Sequence, residues 1–191
     1  MAPGDSSPEK TAPAPLHLVQ RFVNSVDLET GEDELTSPEA LRDWLAERGL
    51  MGTDEAVRKA DLRRAVDVRE GLRALLLANS GLPVDSERIE RLDAAVAHAG
   101  MRMRFRAGSE PALEPDAGGV DGALGRLMAI VSGAVEQGGW QRLKACHRDP
   151  CFWAFYDNSK NRSGRWCKME ACGNIEKARA FRERRRGSAP A

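Results

Sequence analysis

Residues 146–175 read CHRDPCFWAFYDNSKNRSGRWCKMEACGNI and hold all four cysteines of the 191-residue chain. Their spacing is Cys146-x4-Cys151-x15-Cys167-x4-Cys172. Two close pairs separated by about 15 to 20 residues let four thiolates converge on one tetrahedral Zn²⁺, each pair forming one jaw. Disulfides are the competing reading. They are disfavoured because the N-terminal MAPGDSSPEKTAPAP has neither the basic n-region nor the apolar h-region of an export signal, and cytosolic thiols stay reduced. His147 adjoins Cys146, but adjacent residues rarely reach one metal together, and four thiolates complete the shell. The predicted ligands are therefore Cys146, Cys151, Cys167 and Cys172, with Zn²⁺ as cofactor.

Between the pairs, FWAFYD reads as a strand with Trp153 and Phe155 on one face and Phe152 and Tyr156 on the other. Paired with QRLKA, it makes a hairpin tipped by the first cysteine pair, and the second pair opens a helix from about Ala171. Hairpin, loop and ligand-bearing helix make a treble-clef-like finger. So small a unit needs a miniature core around the metal, for which Trp153, Phe155, Trp166 and Ile175 are the candidates.

The formal net charge of zero conceals an asymmetry. Residues 140–191 carry 13 Lys+Arg against 5 Asp+Glu, net +8, so the upstream residues carry 16 against 24, net −8. Four thiolates around Zn²⁺ carry about −2, which offsets only part of this positive excess. The rest extends through DNSKNRSGRW and KARAFRERRR, well past the last ligand, and suits the phosphates of nucleic acid. The candidate contacts are Lys160, Asn161, Arg162, Arg165, Asn174, Lys177, Arg179, Arg182, Arg184, Arg185 and Arg186, with Asn161 and Asn174 placed to meet base edges.

Upstream, the first 15 residues are rich in Pro, Ala, Ser and charge, and they predict a disordered leader. Helical spacing then marks Leu18, Val19, Phe22, Val23 and Val26. In TSPEALRDWLAERG, Thr36 or Ser37 caps a second helix, Pro38 enters its first turn and Gly49 ends it. The longest periodic stretch predicts a helix over about 54–79, with Asp54 and Glu55 at its dipole-favoured start. SERIERLDAAVAHAG predicts a shorter helix. The period then changes to two: MRMRFR predicts a half-buried strand with Met101, Met103 and Phe105 inward and Arg102, Arg104 and Arg106 on the solvent face, followed by a partner strand. A strongly apolar helix from about Asp116 closes the body. His17 and His98 stand alone, and no catalytic constellation is visible, so the chain is read as a non-enzyme. An enzyme centred on Asn24 and the arginine strand is the weakest alternative. No run of about 18 apolar residues is present, which predicts no membrane partner and a cytoplasmic location.

At this point the residues resemble the CGNR zinc finger proteins of bacteria. The resemblance is carried by Cys146, Cys151, Trp153, Phe155, Asp157, Ser159, Asn161, Arg165-Trp166-Cys167, Met169, Cys172-Gly173-Asn174, Lys177 and Arg179. The upstream region, from FVNSVD at residues 22–27 through the Met101–Phe105 strand, is similar to the ABATE domain that usually precedes this finger. Together they imply a mainly α (α+β) protein: a multihelical N-terminal domain with a short β-hairpin, then a small treble-clef-like zinc finger. The expected boundaries are leader 1–15, ABATE-like domain 16–137, finger 140–186 and tail 187–191.

The implied function is a DNA-binding transcription regulator linked with stress responses, its N-terminal domain sensing a small-molecule effector or forming a homodimer. The alternative is a structural zinc finger serving as a protein-interaction module. One position departs from the family: the motif that names it ends in Arg, and here Ile175 stands in that place. Packing of Ile175 inward with Ala178 is the expected accommodation.

Overall fold

The computed structural model describes residues 10–187, about half of them helical. Residues 1–9 of the expected leader and 188–191 of the expected tail lie outside the described residues. Residues 10–15 differ from the expected disorder. Ala12 is buried, its amide donates to Gln20 Oε1 at 2.7 Å, and Lys10 Nζ donates to the Trp166 carbonyl at 2.5 Å. Composition misses this because one buried glutamine amide and one carbonyl anchor the segment, where large apolar groups would otherwise be needed.

Helix α1 (His17–Val23) buries Val19, Phe22 and Val23, and α2 (Pro38–Glu47) buries Leu41, Trp44 and Leu45. Ser37 caps α2 by accepting the Ala40 amide at 3.1 Å. Phe22 meets Trp44 edge-on, with ring centroids 5.4 Å apart. The central helix, α3 (Lys59–Asn79), starts later than its periodicity suggests. Asp61 accepts the Arg58 amide at 2.7 Å and so marks the true start, while Glu55 accepts the Gly52 amide within the preceding turn. Ala65, Val68, Leu72 and Leu76 form its buried face, each large side chain worth roughly 1.5–3 kcal/mol of apolar burial.

Helix α4 (Ser86–Ala97), capped by Asp85, lies against α3. The two approach closely at Gly71, where an added Cβ would come within 2.4 Å of Leu92 Cβ.

The strands β1 (Met101–Arg104) and β2 (Ala112–Pro115) pair antiparallel, Met101 opposite Pro115 and Arg104 opposite Ala112. The expected half-buried face is buried only at its root. Met101 is half-buried, but Met103 is 49% and Phe105 78% exposed, because the hairpin runs away from the body. On the other face Arg102 and Arg104 pair with Asp116, and Arg106 with Glu114. Helix α5 (Gly119–Glu136) then packs Leu124 and Leu127 into the core.

After a 3-10 turn (Trp140–Arg142), β3 (Leu143–Ala145) pairs antiparallel with β4 (Ala154–Tyr156) in the register Leu143↔Tyr156, Lys144↔Phe155, Ala145↔Ala154. This hairpin does not stand apart from the body. Leu143, Ala145, Ala154 and Tyr156 belong to the same buried cluster as α1, α2, α3 and α5. Both its outer edges are closed by side chains of the helical domain. Asn24 accepts the Ala154 amide at 2.7 Å and donates to its carbonyl at 2.9 Å, and Ser80 Oγ does the same for Ala145 at 3.0 and 2.8 Å. The helical domain and the finger's hairpin thus share one core. A π-helical turn (Met169–Gly173) leads into α6 (Asn174–Gly187).

Candidate metal centre and nucleic-acid interface

The four cysteines arrive from three places: Cys146 and Cys151 from the turn joining β3 to β4, Cys167 from the loop after β4, and Cys172 from the π-helical turn. Their sulfurs lie within 4.8 Å of one another. Cys151–Cys167, Cys167–Cys172 and Cys172–Cys151 are separated by 3.7, 3.6 and 3.6 Å. Tetrahedral Zn²⁺ with bonds of about 2.3 Å requires sulfurs about 3.8 Å apart, so the residues present fit the ion. Cys146, Cys151 and Cys172 are buried and Cys167 half-buried, with Trp153 and Trp166 packed against the cluster.

Hydrogen bonds within the cluster favour the thiolate of the sulfur that accepts, Cys146, and push the thiols that donate to it, Cys151 and Cys167, up. The Cys146 thiol is drawn down to about 4, first by hydrogen bonds from Cys151 and Cys167, then by the backbone amides of Cys167 and Arg148. Arg148 Nε donates to Cys172 Sγ at 3.1 Å, while its Nη2 pairs with Glu29 in the turn after α1. That partner, more than the cysteine, raises the guanidinium's pKa above its ordinary value. Arg148 therefore clamps a ligand to the helical domain, an outer contact of the kind that orients metal ligands. In the sequence its only signal is membership of the basic excess, which does not mark it as a partner of a ligand.

The loop after β4 is built on Asp157. Its carboxylate accepts Lys144 Nζ at 2.8 Å, the Ser159 amide at 3.0 Å and the Gly164 amide at 2.7 Å. Lys144 also donates to the Arg162 and Gly164 carbonyls, fixing Arg162 at a left-handed φ of 51°. Burial opposes charge on Asp157, but Lys144, Ser159 and Gly164 outweigh it and hold the carboxyl down to about 2. Because this value lies below the unfolded value of about 3.9, the contribution is full above about pH 5 and disappears as pH falls through 4 towards 2. Two units correspond to about 2–3 kcal/mol. Urea unfolding of wild type and Asp157→Asn at several pH values should show a stability gap that is constant from pH 5 to 7 and shrinks below pH 4. A gap independent of pH would contradict this role.

The knot leaves the tips of the loop outward. Lys160, Asn161, Arg162 and Arg165 are exposed. Arg162 reaches Gln141 Oε1 at 3.3 Å, and Arg165 lies over Trp166 with its Nε 3.3 Å from His147 Nδ1.

Met169 packs over Gly173, where a Cβ would stand 2.4 Å from its Sδ and displace that side chain. Asn174, predicted to meet a base edge, is exposed and donates its side-chain amide to the Glu170 carbonyl at 3.1 Å, bracing the turn. Ile175 corrects two expectations. It is 48% exposed, so it neither packs inward with Ala178 nor joins the finger's core. The half-buried places on α6 belong to Glu176 and Ala180 instead. Lys177, Arg179, Arg182, Arg184 and Arg185 are all exposed, Arg179 with Glu183 at 3.2 Å, and Arg186 follows on the same helix. The structure thus brings the ligands together at one point and spreads the predicted cationic contacts over the loop and α6.

Comparison with known families agrees with this geometry. The model of the CGNR zinc finger matches residues 142–185, and that of the ABATE family, described as "Putative stress-induced transcription regulator", matches residues 16–137. No curated protein matches the chain. The four cysteines, in the arrangement of a CGNR zinc finger, are a Zn²⁺ site. The chain belongs to the ABATE family and carries a C-terminal CGNR zinc finger.

Proposed function

We propose that the protein is a zinc-dependent, DNA-binding transcription regulator. The observation that carries the reading is the exposure of Lys160, Arg162, Arg165, Lys177, Arg179, Arg182, Arg184 and Arg185 on the two elements that leave the metal centre, the loop and α6. Bound zinc supplies rigidity there. The chain's own residues do the rest: Lys144 and Asp157 set the loop, Arg148 sets Cys172, and the cations meet phosphates and position the protein on the duplex. Asn161 is the exposed loop amide available to a base edge, with Asn174 beside it on α6.

The N-terminal domain serves effector sensing or homodimer formation, and exposed Met103 and Phe105 on the β1 arm favour the latter. We assign no catalytic role, since four thiolates leave no open metal position for water. No helix among the described residues is long and apolar enough to cross a membrane. A transcription regulator would work in the cytoplasm.

The competing reading is a protein-interaction module, favoured by the exposure of Ile175 and Phe181 on α6. Anisotropy titration of a labelled duplex with zinc-loaded protein separates the two. If six or more of these cations meet phosphates, affinity should fall by about 10³ or more between 50 and 200 mM salt. Absence of binding even at 50 mM salt would reject the DNA reading in favour of the protein module.

A further inference from the structure

Helix α6 is polarised in a way that phosphate binding alone does not explain. At about 100° per residue, Glu176, Ala180 and Glu183 fall within an arc of roughly 60°. That arc contains both half-buried residues among the described side chains of the helix, Glu176 and Ala180, so it is the side turned towards the protein. It also contains both acidic residues of α6. Diametrically opposite lie Ile175, Ala178 and Phe181, all exposed, with Ile175 at 48% and Phe181 at 54%. Arg182 and Arg185 fall inside this apolar band, and the Arg185 guanidinium lies 5.8 Å from the Phe181 ring centre. Lys177 and Arg184 flank the band on one side, Arg179 on the other.

The outward face is therefore a row of apolar side chains interspersed with Arg182 and Arg185, flanked by further cations and free of acidic residues. A polyanion that offers apolar groups between rows of negative charge complements this face. Duplex DNA fits: its major groove, about 12 Å wide, admits a helix between two phosphate rows, and thymine presents a methyl group on the groove floor. From Ile175 to Phe181 the strip runs about 9 Å, the rise of two to three base pairs. RNA lacks the methyl, and its deep, narrow major groove excludes a helix. Two large apolar side chains on one helix are too few for firm seating in a lipid surface.

We propose that the outward face of α6 lies in the major groove and that Ile175 and Phe181 contact thymine methyl groups, giving this chain a preference for A·T pairs at that position. The proposal rests on the DNA reading above and deepens it. It also gives the residue that departs from the family's motif a role: Ile175 exchanges a cation for a methyl-reading contact.

The test uses the full-length, zinc-loaded protein and three versions of one A·T-rich duplex, containing thymine, uracil or 5-bromouracil. Uracil removes only the methyl, and bromine restores an apolar group of similar size. Wild type should bind the uracil duplex about fourfold more weakly per methyl contacted and recover with 5-bromouracil. The Ile175→Ala/Phe181→Ala protein, with zinc content checked, should bind thymine and uracil duplexes equally, whereas Arg182→Ala should weaken both alike. Equal binding of thymine and uracil duplexes by wild type overturns the methyl contact and leaves the DNA reading standing. No binding to any duplex at low salt overturns both. Binding to phosphatidylserine vesicles in place of duplex overturns both as well and assigns the face to a membrane.

Discussion

Removing zinc with a chelator at neutral pH should unfold the finger and also lower the melting temperature of the whole protein by roughly 10–20 °C. Structural zinc contributes on the order of 10–16 kcal/mol in isolated fingers. Here its loss cannot stay local. Leu143, Ala145, Ala154 and Tyr156 lie in the core of the helical domain, and β4 and β3 are held at their edges by Asn24 and Ser80. Without the metal, the turn joining these strands has no fixed conformation, and the hairpin pays a loop-ordering cost that zinc otherwise covers. A loss of about 5 kcal/mol from the body corresponds to the stated shift at about 2–4 °C per kcal/mol for a chain of this size. Calorimetry with and without chelator, together with hydrogen exchange at α1 and β3, would report it. Unchanged exchange in α1 after zinc removal would show that the finger and the body are independent. Cys172→Ser should reproduce the chelated state.

This coupling bears on regulation. Arg148 joins Cys172 to Glu29, and Arg73 joins the Cys151 turn to α1, so the metal centre is tied to the N-terminal domain by two buried cations. These contacts place α1 and the turn after it against the elements that lead to the basic face. Under the proposed function, an effector bound by the N-terminal domain needs no hinge or linker to act on the finger.

How far the sequence is legible follows from the kind of interaction involved. The metal centre is legible because ligand spacing is local: each jaw lies within six residues, and zinc geometry dictates the rest. The helices are legible from apolar periodicity and caps such as Ser37. Three features are not: the first turns on a local cap that the apolar period masks, and the other two on contacts distant in sequence. The start of α3 is set by Asp61, which outweighs an apolar pattern that continues upstream. The exposure of Phe105 depends on the direction of the β1–β2 arm, which alternation does not encode. The outward turn of Ile175 depends on which arc of α6 faces the protein. The shared core was hidden for a similar reason: a change in charge sign at residue 140 looks like a domain boundary, yet it coincides with a hairpin whose inner face is as apolar as the helices it joins.

Arg73→Leu should destabilise the protein by about 3–5 kcal/mol, or roughly 10 °C, although the residue touches neither a ligand nor the surface. Its side chain is 1% exposed and serves three partners: Glu70 Oε2 at 3.0 Å, the Val23 carbonyl at 2.6 Å and the Phe152 carbonyl at 3.2 Å. Burial pushes the guanidinium below its ordinary pKa, while Glu70 opposes that shift. Leucine restores apolar volume but leaves two carbonyls and part of the Glu70 carboxylate without their donor, which is the costly way to break a buried charge pair. The Phe152 contact adds a second consequence. Phe152 sits at a left-handed φ of 42°, a strained conformation for a non-glycine residue, next to Cys151 in the metal-binding turn. When its carbonyl loses Arg73, that turn should relax, and zinc affinity measured by chelator competition should fall about tenfold or more. Arg73→Lys keeps the charge but lacks the planar fork, so its losses should be intermediate. A melting temperature within 2 °C of wild type, or an unchanged zinc affinity in the leucine variant, would show that Arg73 does not connect the helical core to the metal centre.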